Sequence, residues 1–137
     1  MKRFEEIQIG DSARLTRRIP EQDILDFARI SGDTNPVHTS EEFASKTRFK
    51  KRIAHGFLVA SLISTVLGTI FPGPGTIYLS QELRFRAPVY IDDELEVVVE
   101  VIEKKDEKRI LVLRTDISNL SGVKVIEGKA VVLVEQI

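Results

Sequence analysis

Cysteine and tryptophan are absent from the 137 residues, and there are only one methionine and two histidines. Without cysteine there is no disulfide framework, no thiolate nucleophile and no thiolate-ligated metal. That composition fits a reducing compartment, and the expectation is a cytoplasmic protein. Neither sign of charge is in excess: 20 Lys and Arg stand against 21 Asp and Glu, for a formal net charge of -1. This gives no basic footprint for nucleic acid and no field that would hold the chain at a membrane. The N-terminal MKRFEEIQIGDS has no apolar run of the secretory type. The main apolar stretch, FLVASLISTVLGTIF at 57–71, falls short of the roughly 20 residues a bilayer span needs and carries Ser61, Ser64, Thr65 and Thr69. It is expected to be a core helix. Two histidines alone do not make a metal site, so no metal is expected.

What remains is 42% hydrophobic and 30% charged, the balance of a folded chain. The length fits one domain, taken as 1–137. SARLTRRI at 12–19 alternates loosely, as a strand does. Pro20 suits a helix start, and Ile24, Phe27 and Ile30 in EQDILDFARI place one apolar face on that helix. Gly32 fits the position just past its end, which leaves Asp33 outside any regular ladder. Asn35-Pro36 signals a turn. TSEE at 39–42 reads as a capping box with Thr39 as N-cap and Glu42 at N3, so His38 is expected immediately before the cap. The helix from Ala54 to Phe71 is apolar nearly all round, so it must be wrapped.

From Ile77 the apolar residues take the odd positions, Ile77, Leu79, Leu83, Phe85, Ala87 and Val89, with Gln81 among them. Period two predicts a strand with that face buried. ELEVVVEVI, RILVLRTDI and VKVIEGKAVVLVEQI follow as further strands, separated by KKDEK and SNLSG. The connections leave no room for crossover helices, so antiparallel meander pairing is expected. The fold class is α+β: a central apolar helix covered by a curved antiparallel sheet.

SGDTNPVHTSEEFA followed by RIAHGFLVASLIS resembles the paired signature of the MaoC-like hydratases, the (R)-specific enoyl-CoA hydratases; PGPGTIYLSQELRFRAPVYIDDEL is similar as well. The likeness runs from about residue 8 to residue 134. It implies a hotdog fold, with a long central helix wrapped by five antiparallel strands, and at least a homodimer. It implies hydration of a trans-2-enoyl-CoA, or of the acyl carrier protein thioester, to the (R)-3-hydroxyacyl product, or the reverse dehydration. It requires no cofactor. Matched residue by residue, the catalytic pair falls on Asp33 and His38, the oxyanion-binding glycine on Gly56, a serine near the thioester on Ser64, and the loop-shaping asparagine on Asn35.

The residue types suit that chemistry. Hydration needs a group to move a proton from water to C2 and a donor at the thioester oxygen, where enolate charge develops. A carboxylate and an imidazole can hold one water between them. Asp33 is expected as the main base, with His38 orienting the water and donating the proton; the alternative is that the two share the work. Gly56 opens the apolar helix, where free N–H groups and the helix dipole favour negative charge. His55 is expected to be structural at the helix start, with a catalytic role as the alternative, Gln81 a satisfied core amide, and Ser64 equally open to a packing role. RFKKR at 48–52, with Arg84 and Arg86, is a solvated surface that could also meet CoA phosphates. A hotdog thioesterase and a non-catalytic acyl-thioester-binding domain are the alternatives.

Overall fold

The structure is a computed structural model that describes residues 2–136. Its strands are β1 (Ser12–Arg18), β2 (Thr76–Phe85), β3 (Glu94–Lys105), β4 (Ile110–Asn119) and β5 (Lys124–Val134). The helices are α1 (Glu21–Ser31), α2 (Pro36–Thr39), α3 (Glu41–Ser45) and α4 (Gly56–Thr65), and α4 continues through a π-helical segment, Val66–Ile70. The five strands form one antiparallel sheet in the order β1-β3-β4-β5-β2. Only β3, β4 and β5 follow one another as a meander. β2 crosses to the far edge and pairs with β5, so the expected meander holds for three strands and not for all.

The alternation in β3 does what period two predicts. Leu95, Val97, Val99 and Val101 are all buried, and they meet Leu111, Leu113 and Ile117 of β4 and Ala130 and Val132 of β5. Val59, Leu62, Ile63, Val66 and Leu67 of the central helix fill the concave side. Each such side chain contributes about 1.5–3 kcal/mol by leaving water. This is the hotdog arrangement.

Three expectations about burial hold only in part. The central helix is not covered all round: its α-helical part is 10 residues, and Phe57, Ser61 and Ser64 face outward. In β2 the odd face is only partly buried: Gln81 and Leu83 are half-buried, with Leu83 against the core, but Ile77, Leu79 and Phe85 are 42%, 51% and 52% exposed. β2 is an edge strand with a partner on one side only; periodicity identified the strand and misjudged its surroundings. Ile30, expected on the apolar face of α1, is 72% exposed, and Ile24 and Ala28 supply the buried contacts instead. No described helix is long and apolar enough to cross a membrane.

Candidate active site

The SGDTNPVH segment is held by local hydrogen bonds. Gly32 closes α1 in the left-handed conformation, with φ of 80°, and its N–H donates to the Ala28 carbonyl at 2.9 Å. Ser31 Oγ donates to the Phe27 carbonyl and accepts the Asp33 N–H. Asp33 Oδ1 accepts the Asn35 N–H at 3.3 Å. Asn35, exposed, caps α2 by accepting the Val37 N–H on Oδ1 at 3.1 Å, and Pro36 follows at the first helical position. The expected capping box is displaced. Ser40, not Thr39, is the N-cap of α3 and accepts the Phe43 N–H. Asn35-Pro36 nucleates a short helix of its own, so His38 lies inside α2 rather than before a cap.

His38 is buried, and its Nδ1 lies 2.7 Å from the Ile53 carbonyl. A carbonyl can only accept, so Nδ1 carries the proton, and in the neutral ring Nε2 holds a lone pair. Burial pushes the His38 pKa below its ordinary value; the Ile53 carbonyl and Asp33 oppose that shift and His55 adds to it. Arg52 Nε donates to the His38 carbonyl at 2.7 Å, and its Nη1 pairs with Glu21 at 2.5 Å. Arg52 therefore turns inward and leaves the basic surface expected at 48–52. Of the arginines considered for phosphate contact, Arg48 and Arg86 line the cavity described below, and Arg86 is already paired with Glu127.

His55, for which a structural role at the helix start is the expectation with a catalytic one left open, belongs to this cluster. Its ring stacks on that of His38 with centroids 3.8 Å apart and planes 28° apart, and its Nε2 lies 2.9 Å from the Asp33 carbonyl. It occupies the N-cap position of α4 without capping it through its side chain. One carboxylate oxygen of Asp33, one ring nitrogen of His38 and one of His55 all lie within 4.8 Å of one another. Three such groups invite a metal, but the rings do not suit one. Tetrahedral ligation at about 2.1 Å would hold two imidazole centroids about 5 Å apart, well beyond the stack seen here.

A cavity of about 540 Å³ opens beside the cluster. His38, Gly56, Phe57, Phe85 and Val89 form part of its largely apolar wall. Asp33, exposed, lies outside that wall. Gly56 begins α4, and an added Cβ there would meet the Phe85 ring at 2.6 Å and 2.8 Å, so only glycine admits so close an approach. Ser64 is not gathered with the pair; it lines a separate hollow with Phe57, Tyr78, Leu79 and Gln81. Gln81 is satisfied as expected: Nε2 donates to Thr115 Oγ1 at 2.9 Å and to the Glu82 carbonyl, and Oε1 accepts from Tyr78 Oη.

The comparisons with known proteins agree with this geometry. The MaoC like domain family model matches residues 5–121. An (R)-specific enoyl-CoA hydratase from Rhodospirillum rubrum is 50% identical over 131 residues, covering 96% of this chain and 90% of that protein. A 3-hydroxybutyryl-CoA dehydratase from Methylorubrum extorquens is 48% identical, covering 96% and 83%. Among solved structures, an R-hydratase from Pseudomonas aeruginosa in the unliganded form superposes with a TM-score of 0.92 at 43% identity, covering 98% of this chain and 86% of that one. The chain belongs to the MaoC-like domain family.

Proposed function

We propose that this protein is an (R)-specific enoyl-CoA hydratase, a lyase that adds water to a trans-2-enoyl-CoA and runs the reverse dehydration at the same site. One observation carries the reading: the Asp33 carboxylate and a His38 ring nitrogen lie within 4.8 Å beside an apolar cavity that Gly56 also lines. A water with hydrogen bonds of about 2.8 Å at its tetrahedral angle bridges acceptors about 4.6 Å apart. Its two O–H groups then point to Asp33 and to His38 Nε2.

In this reading His38 takes the proton. Its Nδ1 is committed to the Ile53 carbonyl, so neutral Nε2 can accept from water but cannot donate. The water oxygen bonds to C3, and the released proton passes to His38 and from there to C2. The π electrons move toward the thioester oxygen and return as C2 is protonated. Asp33 fixes the second O–H and offsets the charge that forms on His38. This division reverses the one expected from sequence, in which Asp33 was the main base. Gly56 offers its N–H to the thioester oxygen at the positive end of α4. Asn35 shapes the segment through its cap. Ser64 reaches the substrate only through the second hollow, near the acyl portion.

The same reading takes residues 1–137 as one domain and places its action in the cytoplasm, on acyl-CoA or the equivalent acyl carrier protein thioester. It makes the enzyme a homodimer. The free edge of β2 and the exposed Phe57, Tyr78 and Leu79 form an apolar face continuous with the central helix, which a second copy would cover. The test is crotonyl-CoA with purified protein. Loss of the enoyl absorbance with heavy oxygen from labelled water at C3 supports hydration. Release of free thiol would mean a thioesterase, and binding without turnover a carrier domain.

A further inference from the structure

His55 is a buried titratable side chain that the proposed chemistry does not use, and its two nitrogens are treated very unequally. Nε2 lies 2.9 Å from the Asp33 carbonyl, so it is the nitrogen that carries a proton. Nδ1 is buried and has no hydrogen-bond partner among the described residues. The ring is stacked 3.8 Å from His38. One face lies against His38, and Phe27 packs against the ring at 4.8 Å between centroids. The residue itself is 2% exposed.

Phenylalanine would fill this space and stack on both neighbours, and it would remove the orphaned nitrogen. What phenylalanine lacks is the Nε2–H bond to Asp33. A merely structural role at the start of α4 does not account for that bond, because His55 does not cap the helix with its side chain. We infer that His55 is a positioning residue: an imidazole whose Nε2–H bond fixes the Asp33 backbone while its ring sets the plane of His38, so that both reacting groups face one water. This rests on the hydratase reading. The physical basis is alignment, since an ångström of misplacement at a reacting group is enough to cost about a hundredfold in rate. Asp33 is the member most in need of it, being exposed on a loop after Gly32, whereas His38 has its own anchor at Ile53.

The experiment compares His55→Phe and His55→Gln on crotonyl-CoA and by thermal unfolding. Gln can present its Nε2 where the imidazole Nε2–H stood, but it lacks the ring. His55→Phe is expected to lower kcat by about 10- to 100-fold with KM changed by less than about threefold, and Tm unchanged or higher because the orphaned nitrogen is gone. His55→Gln is expected to regain a large part of kcat while losing Tm. That crossing of activity and stability is what a packing role would not produce. A Phe variant with wild-type kcat would overturn the role, and so would kcat falling in step with Tm across the two variants. If Phe is not tolerated at all, a Gln variant as inactive as Asp33→Ala would equally overturn it. Absence of hydration by the wild-type protein would instead remove the hydratase reading, and this role with it.

Discussion

Arg52→Ala is the substitution whose cost follows most directly from the structure. Arg52 is 5% exposed and ties three segments together: its stem is buried, Nε donates to the His38 carbonyl at 2.7 Å, and Nη1 pairs with Glu21 at the start of α1. Losing the charged hydrogen bond costs about 1.5–3 kcal/mol. The Glu21 pair adds little, about 0.5 kcal/mol, because that carboxylate is half-exposed and solvent screens it. Emptying the stem removes two methylenes at about 0.8 kcal/mol each. Against this, Nη2 is buried without a partner among the described residues, and its removal returns about 1–3 kcal/mol. The net is about 2 kcal/mol, which for a chain of this length lowers Tm by about 7 °C. Urea titration measures it directly, and Arg52→Met, which keeps the stem, should recover most of it. A loss below about 0.5 kcal/mol for Arg52→Ala would refute the claim that this guanidinium anchors α2.

Gly56→Ala puts a methyl 2.6 Å from a Phe85 ring that is 52% exposed and free to swing outward, so stability should fall by less than about 1.5 kcal/mol. The methyl and displaced ring then crowd the helix N–H, and kcat should drop about 100-fold or more; stopped-flow hydration of crotonyl-CoA checks it. Burial lowers the His38 pKa, so the acid limb of kcat/KM should lie below the ordinary histidine value of 6.5. Stability carries the same sign: above 6.5 both folded and unfolded His38 are neutral, while below it the unfolded chain binds the proton first and stability falls until the folded pKa is reached. His38→Gln should flatten that slope in pH-dependent urea melts. Leu79→Lys on the exposed edge strand should turn a dimer into a monomer by light scattering, with little change in monomer fold.

The parts of the fold that sequence made legible are those whose surroundings repeat. β3 is flanked by β1 and β4 and faces the central helix, so its alternation of Leu95, Val97, Val99 and Val101 maps directly onto burial. β2 carries an equally regular pattern, yet a register shift between Tyr78 and Ser80 interrupts its pairing with β5, and Ile77, Leu79 and Phe85 stay exposed, which no local pattern encodes. The same limit applies to the site. Gly32 and Asn35-Pro36 act through neighbouring backbone, so their roles in framing Asp33 and His38 could be read from the chain. His55 joins the pair across 22 positions from Asp33, and Arg52 reaches back 14 to the carbonyl of His38. A basic run that looked solvated thus hides one arginine that points inward. The capping box failed for a smaller reason: Ser40 competes with Thr39 for the same role, and the helix begun by Asn35-Pro36 decides between them.

The most direct test of the account is turnover of crotonyl-CoA by the wild-type protein, Asp33→Asn and His38→Gln, with the oxygen at C3 traced from labelled water. The account predicts (R)-3-hydroxybutyryl-CoA from the wild type and a loss of at least about a thousandfold in each variant, with folded circular dichroism spectra retained. Near wild-type turnover in either variant would contradict it, as would thiol release in place of hydration.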